Sequence, residues 1–383
     1  RQNIHSHPTN NETYILLGNI LSDIDLIDAA IACYKTAIFY NSVNCVGYNN
    51  LAIAYKDNHE IEMSIENFLT ALSLCPQDPF IHWNLALTLL LKGDYVAGFR
   101  EYEWRWLKSD YKMYERTYPF KEWDGSWDVG SILIYAEQGL GDTIHFSRYS
   151  EILASKGINV TIHCHSELVR LMRHVNGVSS SLPFEETPDD RDCYYPMMSL
   201  PFMCKTDKET IPRNIPFIRP DDNDVMRWTE VVNSYGDGLK VGIAWAGSPR
   251  HPNDKKRSIP FESILPLLEV KGVKFFNLQI GHTKGHESQY LIDLSQGISD
   301  FYDTSCLIKS LDLLITADTA VCHLAGAMGK DVWVMLPYSP DWRWGLEVPT
   351  SDWYPTARLF RQSQRGDWHG VVREIKKGLE KKL

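Results

Sequence analysis

The sequence has no long apolar runs, and no stretch approaches the roughly 18 residues that a membrane-spanning helix requires. It also lacks net positive charge. The formal net charge is −10, which argues against a general nucleic-acid-binding surface. The eight cysteines (Cys33, Cys45, Cys75, Cys164, Cys193, Cys204, Cys306 and Cys322) include no C-x-x-C pair. They are expected to be buried thiols in a reducing, cytoplasmic compartment. The opening residues lack the apolar core of a secretory signal. Because the chain opens at Arg1 and not Met, further sequence is expected upstream. A hydrophobic content of 44% with 23% charged residues excludes wholesale disorder.

The 383 residues suggest two or three domains. Charge divides them unevenly. Residues 1–119 carry 9 basic and 14 acidic side chains, residues 120–238 carry 11 and 19, and residues 239–383 carry 19 and 16. The change of sign near residue 239 marks a domain boundary. It also makes the last third the place to seek an anionic ligand.

An internal period is present at the amino-terminal end. Tyr34, Phe68 and Tyr102 recur every 34 residues, as do Leu17, Leu51 and Leu85, and Tyr14, Tyr48 and His82. Gly18, Ala52 and Ala86 hold a small position after each Leu, and Ala37 and Ala71 hold a second one. Small residues let paired helices approach closely, and large ones fill the gaps between them. This pattern resembles the tetratricopeptide repeat, with a third repeat that departs from it at Gly98 and Arg105. The resemblance implies a helical solenoid with a concave face. Such an array either binds a protein or peptide, or braces the next domain and mediates homo-oligomerisation. Asn50 and Asn84, expected on the inner helices, are the candidate acceptor-binding residues, because an amide can pair with a peptide backbone whatever its side chains. The aromatic segment Tyr102–Trp106 is expected to be a packing surface.

Beyond residue 120 the pattern changes to short apolar runs separated by glycine-bearing turns and helical stretches. Strands are expected at 131–136, 158–163 and 193–197, with helices at 144–154 and 166–174. Residues 175–238 are Pro-rich and acidic, with little else to assign. A second series gives strands at 241–246, 273–279, 311–316 and 332–336, and helices at 261–270, 303–310, 320–328 and 367–383. This is the alternation of doubly wound parallel sheets, whose ligands bind beyond the carboxyl ends of the strands.

Three turns sit at those ends. Gly139-Leu140-Gly141-Asp142 opens a helix, and Asp142 is either a cap or a general base. Trp245-Ala246-Gly247-Ser248 leads into a cationic loop ending at Arg257-Ser258-Ile259-Pro260. That loop is either solvated or a diphosphate site. Asp318-Thr319-Ala320 opens a small-residue helix whose N–H groups and dipole favour a phosphate. His323 on that helix either faces a ligand or packs inside.

Taken in order, these three turns resemble the heptosyltransferase-type glycosyltransferases (family nine) of GT-B fold. The segments Pro340–Trp344, Trp353–Thr356 and Arg358–Gln362 are similar to bacterial proteins that fuse tetratricopeptide repeats to such a domain. The resemblance implies an α plus α/β chain: repeats over 1–119, an acceptor-side Rossmann-like half over 120–238, and a nucleotide-sugar-binding half over 239–383. It implies inverting sugar transfer from a nucleotide-sugar without a catalytic metal. It also implies catalytic roles for Asp142, as base, and Arg257, against the leaving diphosphate. Donor contacts are implied for Gly141, Gly247, Ser248, Asp318, Thr319, Ala320 and His323. Gln279 stands where the family often has an acidic residue touching the ribose. The expected acceptor is a protein docked by the repeats; the alternatives are a glycan or lipid-linked acceptor, or a non-catalytic module.

Overall fold

A computed structural model describes residues 10–251, 253–279 and 288–383. The chain forms two compact units. One comprises residues 10–115 together with Lys205–Thr210 and Asp341–Glu347; the other comprises Arg116–Cys204, Ile211–Pro340 and Val348–Leu383.

The first unit holds three helix pairs: α1 (Asn11–Asp23) with α2 (Ile27–Tyr40), α3 (Cys45–Asp57) with α4 (Ile61–Leu74), and α5 (Pro79–Lys92) with α6 (Tyr95–Tyr102). The first helix of each pair starts at a side-chain cap. Asn10, Asn44 and Asp78 accept from backbone N–H groups two residues ahead, satisfying donors that a helix start otherwise leaves bare. Gly93, at φ 90°, ends α5 in the left-handed conformation that glycine adopts without strain.

The 34-residue period is realised as packing. A methyl group on Gly18 would lie 2.4 Å from the Tyr34 ring, and one on Gly98 would lie 2.7 Å from Leu90. Phe68, Ala52 and Ala71 are fully buried between α3, α4 and α5. The departure at Arg105 also has a structural basis. α6 tightens into a 3₁₀ turn over Glu103–Leu107. There the buried Arg105 guanidinium pairs with Glu103 at 2.6 Å and lies over the rings of Tyr102, Trp106 and Tyr111. The Pro340–Trp344 motif divides between the units: Trp342 belongs to the helical one and packs edge-on against Phe99, ring centres 5.7 Å apart. The expectation of eight free thiols is corrected at two positions, since Cys45 and Cys75 form a disulfide.

The second unit contains two parallel sheets. The first joins β1 (Lys121–Glu122), β2 (Ser131–Tyr135), β3 (Asn159–Cys164), β4 (Val178–Pro183) and β5 (Cys193–Pro196) in the order β1-β5-β2-β3-β4. The second joins β6 (Leu239–Ala244), β7 (Val273–Asn277), β8 (Leu291–Asp293), β9 (Leu313–Ala317), β10 (Val332–Leu336) and β11 (Ala357–Arg361) in the order β11-β10-β9-β6-β7-β8. Helical repeats followed by two parallel α/β sheets are the fold class expected from the sequence.

Four helices of this unit matter for the site: α7 (Leu140–Phe146) after β2, α8 (Phe261–Leu268) after β6, α9 (Ala320–Ala327) after β9, and the terminal α10 (Trp368–Glu380). Trp368, Val371, Val372, Ile375 and Leu379 of α10 join the core of the second sheet with Trp245, Leu313 and Phe360. The sequence reading passed over β1, β4, β8 and β11. β4 reads Val-Ser-Ser-Ser-Leu-Pro, polar because it is an edge strand, where a terminal proline is tolerated. Ser180 on it pairs with Thr161 of β3 at 2.8 Å.

Candidate active site

The three turns all sit at the carboxyl ends of the parallel strands, where the sheet leaves loops and helix starts to face a ligand. After β2, α7 begins at Leu140, four residues earlier than the apolar pattern suggested, and Gly139 is its cap residue. Asp142 therefore occupies the third helical position. Its carboxylate accepts from the Gly139 N–H at 3.2 Å, so it closes the turn from inside the helix. The second glycine has a packing role. A methyl on Gly141 would lie 3.0 Å from His323 Cδ2 and 3.4 Å from Ala320 Cα. The start of α7 is thus pressed against the start of α9, so closely that a larger residue at 141 would need its neighbours to give by a few tenths of an ångström.

After β6, the loop divides by exposure. Ser248, Arg250 and Lys255 are exposed, while Arg257 turns inward. Asp254–Arg257 form one helical turn, and Ser258 secures its end by accepting from the Gly247 N–H at 2.9 Å and donating to Asp254 at 2.7 Å. The Arg257 guanidinium lies against Gly247: a methyl there would be 2.4 Å from Nη2. Nη1 donates to the Asp318 carbonyl at 3.1 Å. Nε is buried, with no hydrogen-bond partner among the described residues and the Asp254 carboxylate 3.7 Å away. The cation therefore bridges the β6 and β9 turns. Ser248 shapes its own loop, its hydroxyl accepting from Arg250 N–H at 3.4 Å.

After β9, Thr319 is the cap residue of α9, but no side chain caps that helix; its hydroxyl instead lies 3.4 Å from that of Thr316. The Thr319 side chain therefore does not satisfy the first N–H groups of α9, that of Ala320 among them. Asp318 and His323 are both buried, with Asp318 Oδ1 3.7 Å from His323 Nε2. The packed alternative for His323 thus holds together with proximity to the turn.

Gln279, after β7, is buried, and its carbonyl oxygen accepts from the N–H groups of Trp245 and Ala246 at 3.2 and 2.8 Å. Two donors fix the amide's orientation. The polar group that remains is an NH₂ donor, where an acidic residue would have offered an acceptor.

Two residues escaped the sequence reading. Tyr354 is fully buried, and its hydroxyl lies 3.0 Å from His323 Nδ1 and 2.8 Å from His145 Nδ1. His145 lies three residues beyond Asp142 on α7, and Trp353–Thr356 had stood out as a motif without a role. Local patterning could not join them, because they are 209 residues apart. Beneath them Arg148 is buried, donating to the carbonyls of His145 and Trp353 at 2.8 and 3.0 Å.

The absence of a metal-binding Asp-x-Asp triplet had been expected, but the sequence holds three, Asp23–Asp25, Asp190–Asp192 and Asp222–Asp224, all outside the three turns. Asp192 accepts from the N–H groups of Gly130 and Ser131, Asp224 accepts from the Tyr302 hydroxyl and pairs with Arg227, and Asp23–Asp25 close α1.

In the repeat unit, Asn50 and Asn84 belong to a ladder of amides. Asn50 donates to Asn19 at 2.9 Å, Asn49 donates to Asn50 at 3.0 Å, and Asn84 donates to Asn49 at 3.1 Å. The Tyr34 hydroxyl also donates to Asn19, at 2.8 Å. Asn19 was missed, although it follows the small position of the first repeat.

The chain is 25% identical over 396 aligned residues to Protein FlbA of Caulobacter vibrioides, an alignment that covers 94% of this chain and 65% of that protein. The chain therefore spans just under two thirds of that relative's length. Among solved structures, it is similar to the ADP-heptose LPS heptosyltransferase II of E. coli, with 12% identity and a TM-score of 0.47, over 66% of this chain and 99% of that one. It is similar also to a family 9 glycosyl transferase of Veillonella parvula, with 12% identity and a TM-score of 0.46, over 67% of this chain and 90% of that one. Residues 12–42 and 47–78 match the tetratricopeptide repeat family, so the helical unit carries tetratricopeptide repeats.

Proposed function

We propose that this protein is a metal-independent, inverting glycosyltransferase that uses a nucleotide-sugar, with its repeats docking a protein acceptor. The observation that carries the reading is the Arg257 bridge. A cation with spare donors, half-buried against Gly247 and bonded to the Asp318 carbonyl, lies at the start of α9, which the Thr319 side chain leaves uncapped. Both features favour negative charge, and neither needs a metal to do so.

In the proposed step an acceptor hydroxyl attacks the anomeric carbon. The bond from that carbon to the diphosphate oxygen breaks, and the electron pair leaves with the diphosphate. Arg257 and the N–H groups of Thr319 and Ala320 stabilise the departing charge. The hydroxyl proton passes to Asp142, whose carboxylate is oriented by the Gly139 N–H. Asp318 and His323 contact the sugar side of the donor, Gly141, Gly247 and Ser248 line its path, and Gln279 presents its amide to the nucleoside. Asn50 and Asn84, on the amide ladder, would meet an extended acceptor backbone.

The test is donor hydrolysis and transfer assayed across a panel of nucleotide-sugars. Asp142→Asn should lose transfer while retaining donor binding by thermal shift. Binding of no nucleotide-sugar would instead favour a non-catalytic module. Unaltered transfer in Asp142→Asn would remove it as the base.

A further inference from the structure

We infer that Tyr354 is a positioning residue that holds His323 in one tautomer, with its ring proton on Nε2 and directed at Asp318. This rests on the glycosyltransferase reading for its kinetic consequence, but not for its geometry. The Tyr354 hydroxyl lies within hydrogen-bond distance of two Nδ1 atoms, His323 at 3.0 Å and His145 at 2.8 Å. A phenol has one hydrogen. It donates to one ring and accepts from the other, so two neutral imidazoles on it must adopt opposite tautomers.

Charge decides which is which. His323 Nε2 has the Asp318 carboxylate at 3.7 Å, which favours a proton on that nitrogen. Its Nδ1 is then the acceptor of the Tyr354 O–H, and His145 donates its Nδ1–H to the Tyr354 oxygen. The Arg148 guanidinium, buried and 4.8 Å from the Tyr354 ring centre, already places one positive charge on this cluster, which disfavours adding another.

Packing holds the three rings in place. A methyl on Gly326 would lie 2.4 Å from Tyr354 Cδ1, so the phenol sits directly on the α9 backbone. Gly141 abuts His323 from α7. One hydroxyl thereby couples the helix that carries Asp142 to the helix that faces the donor.

The test uses the intact protein with ¹⁵N-labelled histidine. Imidazole ¹⁵N spectra are assigned by the signals lost in His145→Asn and His323→Asn. The wild type should show His323 protonated on Nε2 and His145 on Nδ1. Tyr354→Phe keeps the ring and removes the hydroxyl. It should leave His323 exchanging between tautomers and lower kcat at least tenfold, with donor KM changed less than threefold. The same tautomer at both histidines in the wild type would overturn the assignment even if Tyr354→Phe fails to fold. An unchanged His323 tautomer in a folded Tyr354→Phe, or an unchanged kcat, would also overturn it. Opposite tautomers in a protein without sugar-transfer activity would support the hydrogen-bonded arrangement and refute the glycosyltransferase reading instead.

Discussion

Replacing Gly247 with Ala should reduce activity by displacing a different residue. The added methyl would stand 2.4 Å from Arg257 Nη2, 2.8 Å from Cζ and 2.9 Å from Nε. Ordinary van der Waals contact begins near 3.4 Å, so the guanidinium must retreat by about 1 Å. That retreat breaks its bond to the Asp318 carbonyl, which is 3.1 Å long in the native arrangement. The obstructed atoms end a flexible side chain, and Gly247 is not among the glycines with positive φ. Stability should therefore fall by less than about 1 kcal/mol. A 1 Å misplacement can cost on the order of 100-fold in rate. Removing the cation outright in Arg257→Ala should cost about 2–4 kcal/mol of transition-state stabilisation, or about 30- to 1,000-fold in kcat. The two changes act on one contact, so the double variant should be little worse than Arg257→Ala alone. The assay is single-turnover sugar transfer for all three proteins, with urea unfolding as a control. Full activity in Gly247→Ala, or losses that simply multiply in the double variant, would refute the bridge as the catalytic contact. An Arg257→Ala protein with weaker donor binding and native turnover would show that the cation serves the ground state only.

Sugar transfer should survive EDTA, and loss on chelation with recovery on adding Mn²⁺ or Mg²⁺ would sink the mechanism proposed above. Asn50→Ala with Asn84→Ala should weaken use of a protein acceptor and leave donor hydrolysis intact. Because both amides bond across neighbouring repeats, it should also cost about 0.5–1.5 kcal/mol per lost bond in the repeat unit. Equal loss of transfer and hydrolysis would make the ladder a brace. Reducing the Cys45–Cys75 disulfide, whose cysteines are 30 residues apart, should lower repeat stability by about 3–4 kcal/mol in the chain-entropy account; an unfolding midpoint indifferent to dithiothreitol would mean that the bond does not form. Burial lowers the pKa of His163 and His165 below the ordinary histidine value. The unfolded chain then binds more protons below about pH 6.5, so stability should decline as pH falls through that value. Urea midpoints at pH 7.5 and 5.5 check this, and His163→Gln should narrow the difference between them.

The sequence by itself determined what depends on local period. A 34-residue recurrence of large and small side chains specifies helix pairs whatever follows them, because Gly18 beneath Tyr34 and Ala52 near Phe68 are set by spacing along two adjacent helices. Apolar runs ending in Gly139–Asp142, Gly247–Ser248 and Asp318–Thr319 likewise marked strand ends, since a parallel strand buried on both faces must be apolar and must stop at a turn. Tertiary structure decided everything that joins distant segments. The polar edge strand β4 is specified by pairing with β3 and not by its own pattern. Trp342 lies in the helical unit although it is 243 residues beyond Phe99, and Arg257 finds its acceptor on a carbonyl 61 residues away. His145, Tyr354 and His323 carry no common motif and come together only because α7 packs on α9 across a glycine. Such contacts depend on how whole elements stack, which periodicity within a window of ten or twenty residues does not encode.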